Sequence, residues 1–149
     1  MSLFMGIDTA ASGLTAERLR MDLISNNIAN ANTTRTENGG AYRRRYAIFS
    51  PRDRQPMSFE QALMKATGGK KTVGEGVRAV AIAEDVTQGP LVYDPGHPDA
   101  NAQGYVEKPN VNIVTEMVDM ITAHRAYEAN TTTINAAKSM ISKALEIGS

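Results

Sequence analysis

The chain has 149 residues, 42% of them hydrophobic and 21% charged, with no Cys and no Trp. This suits one folded domain or two small sub-domains and excludes disulfides and thiolate zinc sites. Sixteen Lys and Arg balance sixteen Asp and Glu, so the basic surplus that grips nucleic acid is absent and self-association is favoured instead.

The first segment, Leu3 to Ala31, reads as a helix. Ile7, Leu14, Met21 and Ile28 recur every seven residues, and Leu3, Ala10, Ile24 and Ala31 form a second series interrupted by Glu17. Together they make a 3-4 seam of the coiled-coil kind. Leu19 and Leu23 lie off that seam, which gives the helix a second apolar stripe. Gly13 weakens it by roughly 1 kcal/mol relative to Ala. Met1 to Ala11 lack the basic start and apolar block of a cleavable signal peptide. No run in the chain reaches the ~18 apolar residues of a membrane span. By the usual routes the chain would therefore be cytosolic.

Residues 33–109 hold most of the glycines and all six prolines. Tyr42 to Phe49 and Val77 to Ala83 read as strands, with Leu91 to Tyr93 as a third. Ser58 to Thr67 reads as a short helix, with Ser58 and Gln61 spaced for a capping box. Asp94 to Gly104 is a turn-rich loop.

The last segment, Asn112 to Ile147, is a second long helix, with Asn112 as its N-cap and Gly148 as its stop. Ile113, Met120, Tyr127, Ile134 and Ile141 repeat at seven, and Met117, His124, Thr131, Lys138 and Leu145 run beside them as a partly polar series. The expected architecture is α+β. Long terminal helices, in 1–35 and 110–149, pair as an antiparallel coiled-coil-like module around a small β-rich insert, 36–109. Val118 and Ile121 on one helix, like Leu19 and Leu23 on the other, have no evident partner within the chain. A helix apolar on more than one face is a buried helix, so other chains must cover those stripes.

Three clusters invite a chemical reading. Asn26, Asn27, Asn30 and Asn32 fit a helix terminus and turn, or amides that bond neighbouring subunits. Arg43, Arg44 and Arg45, flanked by Tyr42 and Tyr46, fit a solvated strand face or an ion-pairing subunit interface; nucleic-acid binding lacks both charge and motif. His97 lies between Asp94 and Asp99, but two His in the whole chain make no zinc set, and the prolines around it suggest a rigid turn. His124 falls in the expected helical seam as a packed or hydrogen-bonded residue and not a catalytic one. There is no P-loop, no Gly-rich nucleotide loop and no Ser–His–Asp spacing.

The run SGLTAERLRMDLISNNIANANTTRT, Ser12 to Thr36, resembles the N-terminal signature of the bacterial flagellar rod and hook proteins. Ser12, Gly13, Leu14, Ala16, Met21, Asn26, Asn27, Ile28, Ala29, Asn30, Thr33 and Thr34 carry the match. Thr33 to Arg45, Tyr93 to Asn112, Glu116 to Asn130 and Lys143 to Gly148 extend it toward the proximal rod members, with a departure at Ala41, where the family usually has Pro. Residues 50–71 carry no resemblance. The likeness implies a structural axial protein of the basal body, outside the inner membrane, exported unfolded through the flagellar type III apparatus without a cleaved signal. Its helices would line the inner tube of a hollow drive shaft that transmits torque and encloses the export channel, and its insert would form an outer layer. Copies of itself, other rod subunits, the export apparatus and membrane-ring proteins are the implied partners. No cofactor, nucleic acid or small-molecule substrate is implied. The rival readings are a cytosolic helical adaptor and a hydrolase built on the Asp94–Asp99 loop.

Overall fold

Two long helices bracket two small β-hairpins. In the computed structural model, which describes residues 3–37, 39–52, 63 and 76–147, helix α1 spans Leu3–Ala29 and helix α2 spans Ile113–Ile147. Between them lie strands β1 (Arg45–Pro51), β2 (Val77–Glu84), β3 (Leu91–Tyr93) and β4 (Tyr105–Glu107). β1 pairs antiparallel with β2, and β3 with β4, as two separate two-stranded sheets. The fold is α+β. The expected helix at Ser58–Thr67 and the helix stop at Gly148 lie outside the described residues.

Asn112 starts α2 as its spacing predicts. Its side-chain oxygen accepts hydrogen bonds from the N–H of Val114 at 3.0 Å and of Thr115 at 3.3 Å, which satisfies two of the helix's free first-turn donors. The helices pack antiparallel. Gly13 abuts the side chain of Asn130, and Asn27 bonds Glu116; the two contacts lie two heptads apart on each helix, so the register stays in step. At this register the last turns of the longer α2 run past the start of α1, and Met140 and Leu145 are left exposed.

On α1 the seam follows the expected series. Ala10, Ile24 and Ala31 are buried, and Ile7, Leu14, Met21 and Ile28 flank them half-buried. Glu17 sits in the same line, half-buried, with one carboxylate oxygen 3.6 Å from Arg20 Nε. On α2 the second line differs from expectation. Met117, His124, Lys138 and Leu145 face outward, and Ile113 is exposed at the helix start. The line that meets α1 is Glu116, Ala123, Asn130 and Ala137, with Ala123 fully buried. Met120, Tyr127, Ile134 and Ile141 flank it half-buried. The physical reason is size. Helix axes approach closely where side chains are small, and apolar periodicity does not register a contact line made of Ala, Asn and Glu.

The β1–β2 hairpin lies along α1 and runs back toward its N-terminus. Arg45 sits at Asn27, the Arg20 guanidinium stacks 5.3 Å from the centre of the Phe49 ring, and the Val77 N–H donates to Ser12 Oγ at 3.0 Å. Gly76 is required there: its φ is +111°, and a Cβ would collide with Ser12 Oγ. The strand expected from Tyr42 begins three residues later because Tyr42 to Arg44 bond other partners. Tyr42 N–H donates to Thr33 O at 3.0 Å and Arg44 N–H to the Asn110 side chain at 2.8 Å. β4 was not expected; it closes the turn-rich loop against β3, with Tyr93 and Tyr105 rings edge-to-face at 5.3 Å.

Candidate functional site: a buried joint beside an uncovered helix face

Where the two helices meet the sheet, a polar cluster is buried. Asn27 and Glu116 are each 1% exposed. Asn27 Nδ2 donates to the Arg45 carbonyl at 2.9 Å and to Glu116 Oε2 at 3.0 Å. Its Oδ1 accepts from the Arg45 N–H and from the Tyr42 hydroxyl, both at 2.9 Å. Glu116 Oε1 accepts from Arg44 Nε at 2.6 Å. Every polar atom of the two buried side chains thus has a partner, as burial demands. Burial raises the Tyr42 hydroxyl's pKa above its ordinary value of 10.0, against the opposing pull of Arg45.

The three consecutive arginines are used inside the chain, each on a different element. Arg43 pairs with Glu107 on β4 at 2.9 Å and donates to the Thr87 carbonyl at 2.7 Å. Arg44 pairs with Glu116 and, at 3.4 Å, with Asp119 on α2. Arg45 pairs with Glu84 on β2 at 2.7 Å. Acidic partners within the chain thus take all three guanidiniums, while the side chains of Arg43, Arg44 and Arg45 stay partly exposed. The asparagines form the helix terminus and turn that their clustering suggests. Asn26 and Asn30 bond each other at 2.9 Å, and Asn30 accepts from Thr33 Oγ1 at 3.2 Å, so with Asn27 they close the helix end internally; Asn32 is exposed.

The other residues of the N-terminal signature fall into place around this joint. Ser12 holds the start of β2, Gly13 admits Asn130, and Ala16 is buried. Thr34 Oγ1 donates to Asp99 at 2.8 Å and so ties the turn-rich loop to the end of α1; Ala29 is exposed. Asp99 is therefore structural, and its N–H donates to His97 Nδ1 at 3.1 Å within the same loop. Among the described residues no group of three or more His, Asp or Glu could hold a metal ion. His124, expected to be packed or hydrogen-bonded, is exposed, with Nδ1 3.7 Å from the Glu128 carboxylate. A cleft of about 160 Å³ opens between Leu23, Ile24, Tyr46 and Thr122, and its one carboxylate, Asp119, is already paired with Arg44.

Sequence reading missed Glu116, Asn110 and Glu107. Asn110 Oδ1 receives the Arg44 N–H, while its Nδ2 donates to the carbonyls of Asp85 and Thr87 at 3.0 Å. Hydrogen bonds from Thr87 hold the nearby Asp85 carboxyl below its ordinary pKa. The signal that could have found Glu116 is its place in a seven-residue line of small residues, Glu116, Ala123, Asn130 and Ala137.

Beside the joint, α2 carries an uncovered apolar stripe. Val114, Met117, Val118 and Ile121, spaced i, i+3, i+4 and i+7, are all more than half exposed. Along a helix whose opposite face is packed, such a stripe is a candidate for a second contact face. No helix among the described residues is long and apolar enough to cross a membrane.

Comparison with known proteins places this arrangement. Residues 7–35 match the family described as flagella basal body rod protein, and residues 102–147 match the C-terminal family of the flagellar basal body rod FlgEFG proteins. The chain is 51% identical to the flagellar basal-body rod protein FlgC of Borreliella burgdorferi, over 99% of this chain and 98% of the relative. It is 46% identical to that of Bacillus subtilis and 36% identical to that of Salmonella typhimurium, over 99% of both chains in each case. The seam, the joint and the signature that builds them run through both matched segments, and the chain belongs to the FlgC family of flagellar basal-body rod proteins, as a structural subunit of the rod.

Proposed function

We propose that the chain acts mechanically and not as an enzyme. Its helix pair, 1–35 with 110–149, packs into the inner wall of a hollow rod, and its insert, 36–109, forms the outer layer. The observation that carries this is the exposed stripe Val114, Met117, Val118 and Ile121. Burying each of these side chains against a neighbour contributes roughly 1–2 kcal/mol from its half-exposed state. A rod needs contacts between unlike faces that do not close into a ring, and an apolar stripe on one helix can meet an unlike face of a neighbour. Its occupants are copies of this chain, other rod subunits and adjoining membrane-ring proteins. The chain reaches them by export through the flagellar type III apparatus without signal cleavage. No cofactor, nucleic acid or small-molecule substrate enters this mechanism.

The paired substitution Val118→Asp and Ile121→Asp tests it. Both positions are exposed, so the free chain should keep its unfolding free energy in urea within about 0.5 kcal/mol. In cells lacking the natural copy, the variant should still be exported through the flagellar apparatus but should be absent from purified basal bodies, and swimming should be lost. Normal incorporation would refute the role given to this face, and secretion independent of the flagellar apparatus would refute the route.

A further inference from the structure

We propose that Asn27 is the joint that makes helix pairing and seating of the β1–β2 hairpin a single cooperative event. The joint is a property of the chain by itself and goes beyond its role in the rod.

Asn27 bonds Arg45 through both the N–H and the carbonyl of that residue. Two residues facing each other in an antiparallel ladder exchange the same two bonds. The side-chain amide of a helix residue thus acts as the strand partner of the first residue of β1. Its remaining donor position is spent on Glu116 of α2. The carboxylate of Glu116 is divided in turn between Asn27 on α1 and Arg44 at the base of the hairpin. The other leg of the hairpin joins the same point, because the Asp85 N–H donates to the Arg44 carbonyl at 2.7 Å. Asn110, two residues before the α2 cap, grips Arg44 from the opposite side.

Neither half can leave without stranding a buried polar group. If the hairpin lifts away, Glu116 loses the guanidinium that compensates its charge and Asn27 loses two partners. If α2 separates from α1, Asn27 and Arg44 lose Glu116 together. Stranding a buried carboxylate or amide is among the costliest single losses a fold can suffer. The hairpin therefore adopts its place on α1 only when α2 is in register, and a chain with mispaired helices presents no ordered insert.

Amide hydrogen exchange on the full chain tests this. Asn27→Asp sets a carboxylate against both the Glu116 carboxylate and the Arg45 carbonyl. Protection at Tyr46 and Ala83, the ladder-bonded pair of the hairpin, and at Ile24 and Ala123 in the helices should fall by the same factor, about tenfold or more. Adding Glu116→Gln returns a donor to the gap, now from α2 to α1, and should recover much of the loss at all four positions. Arg45→Ala, which removes the exposed Glu84 pair and leaves the backbone bonds to Asn27, should change neither half relative to the other. Loss of protection in the hairpin alone would overturn the proposal, as would unprotected helices in the natural chain. If Asn27→Asp does not fold, the double variant decides: a recovered fold supports the joint, and an unfolded one overturns it.

Discussion

Gly13 and Gly6 are both interior glycines of α1, and the structure separates them. A Cβ added at Gly6 meets nothing within 4 Å, whereas one added at Gly13 would lie 2.8 Å from Asn130 Nδ2 and 3.1 Å from its Cγ. Replacing either with Ala gains helix propensity, about 1 kcal/mol. At Gly6 that gain stands unopposed, reduced only by fraying near the helix start. At Gly13 the half-buried Asn130 side chain must move, and overpacking of this kind costs about 1–3 kcal/mol. Gly13→Ala should therefore be destabilising by about 1 kcal/mol, while Gly6→Ala stabilises by up to about 1 kcal/mol. Urea unfolding at constant m-value reads the difference as opposite shifts of the midpoint. In an Asn130→Ala background the obstruction is gone, and Gly13→Ala should become stabilising, a sign reversal that a double-mutant cycle isolates. If Gly13→Ala stabilises the natural chain as much as Gly6→Ala does, the helices do not approach at Gly13 and the seam register is wrong.

Glu116→Ala should destabilise the chain by about 3 kcal/mol in urea unfolding, because it strips Arg44 of its 2.6 Å partner and leaves an Asn27 donor with one acceptor; a loss under about 1 kcal/mol would show that the joint is weak. The raised pKa of Tyr42 makes stability fall at alkaline pH: the unfolded chain loses its phenolic proton first, near its ordinary value of 10.0, so the contribution is intact below that pH and is lost as pH rises above it. Tyr42→Phe should flatten that part of the pH profile, and an unchanged profile would assign the loss to other groups.

How much of this was legible in advance depended on which physical signal each part writes into the sequence. Long helices advertise themselves through apolar period, so α1 and α2 were legible to within a residue or two at their described ends, as was the Asn112 cap. β2 and β3 were legible for the same reason, since β-branched and aromatic runs bounded by turn residues suit a strand. β4 is three residues long, and Tyr105 to Glu107 carry no period that a turn-rich context does not hide. The contact line of α2 was illegible because close approach selects small residues, and Ala123 and Ala137 look like filler beside Met117 and Ile121. The joint was illegible for a deeper reason. Its members, Asn27, Tyr42, Arg44, Asn110 and Glu116, are polar residues that ordinarily face water, and only the tertiary fold reveals that they satisfy one another. Reading Arg43, Arg44 and Arg45 as an outward interface followed from their charge; in the structure that charge is divided among β4, α2 and β2. The consequence reaches the rod itself. If the stripe of α2 is the rod contact proposed above, the contact beside the joint is an apolar one, which depends little on salt and transmits force through close packing.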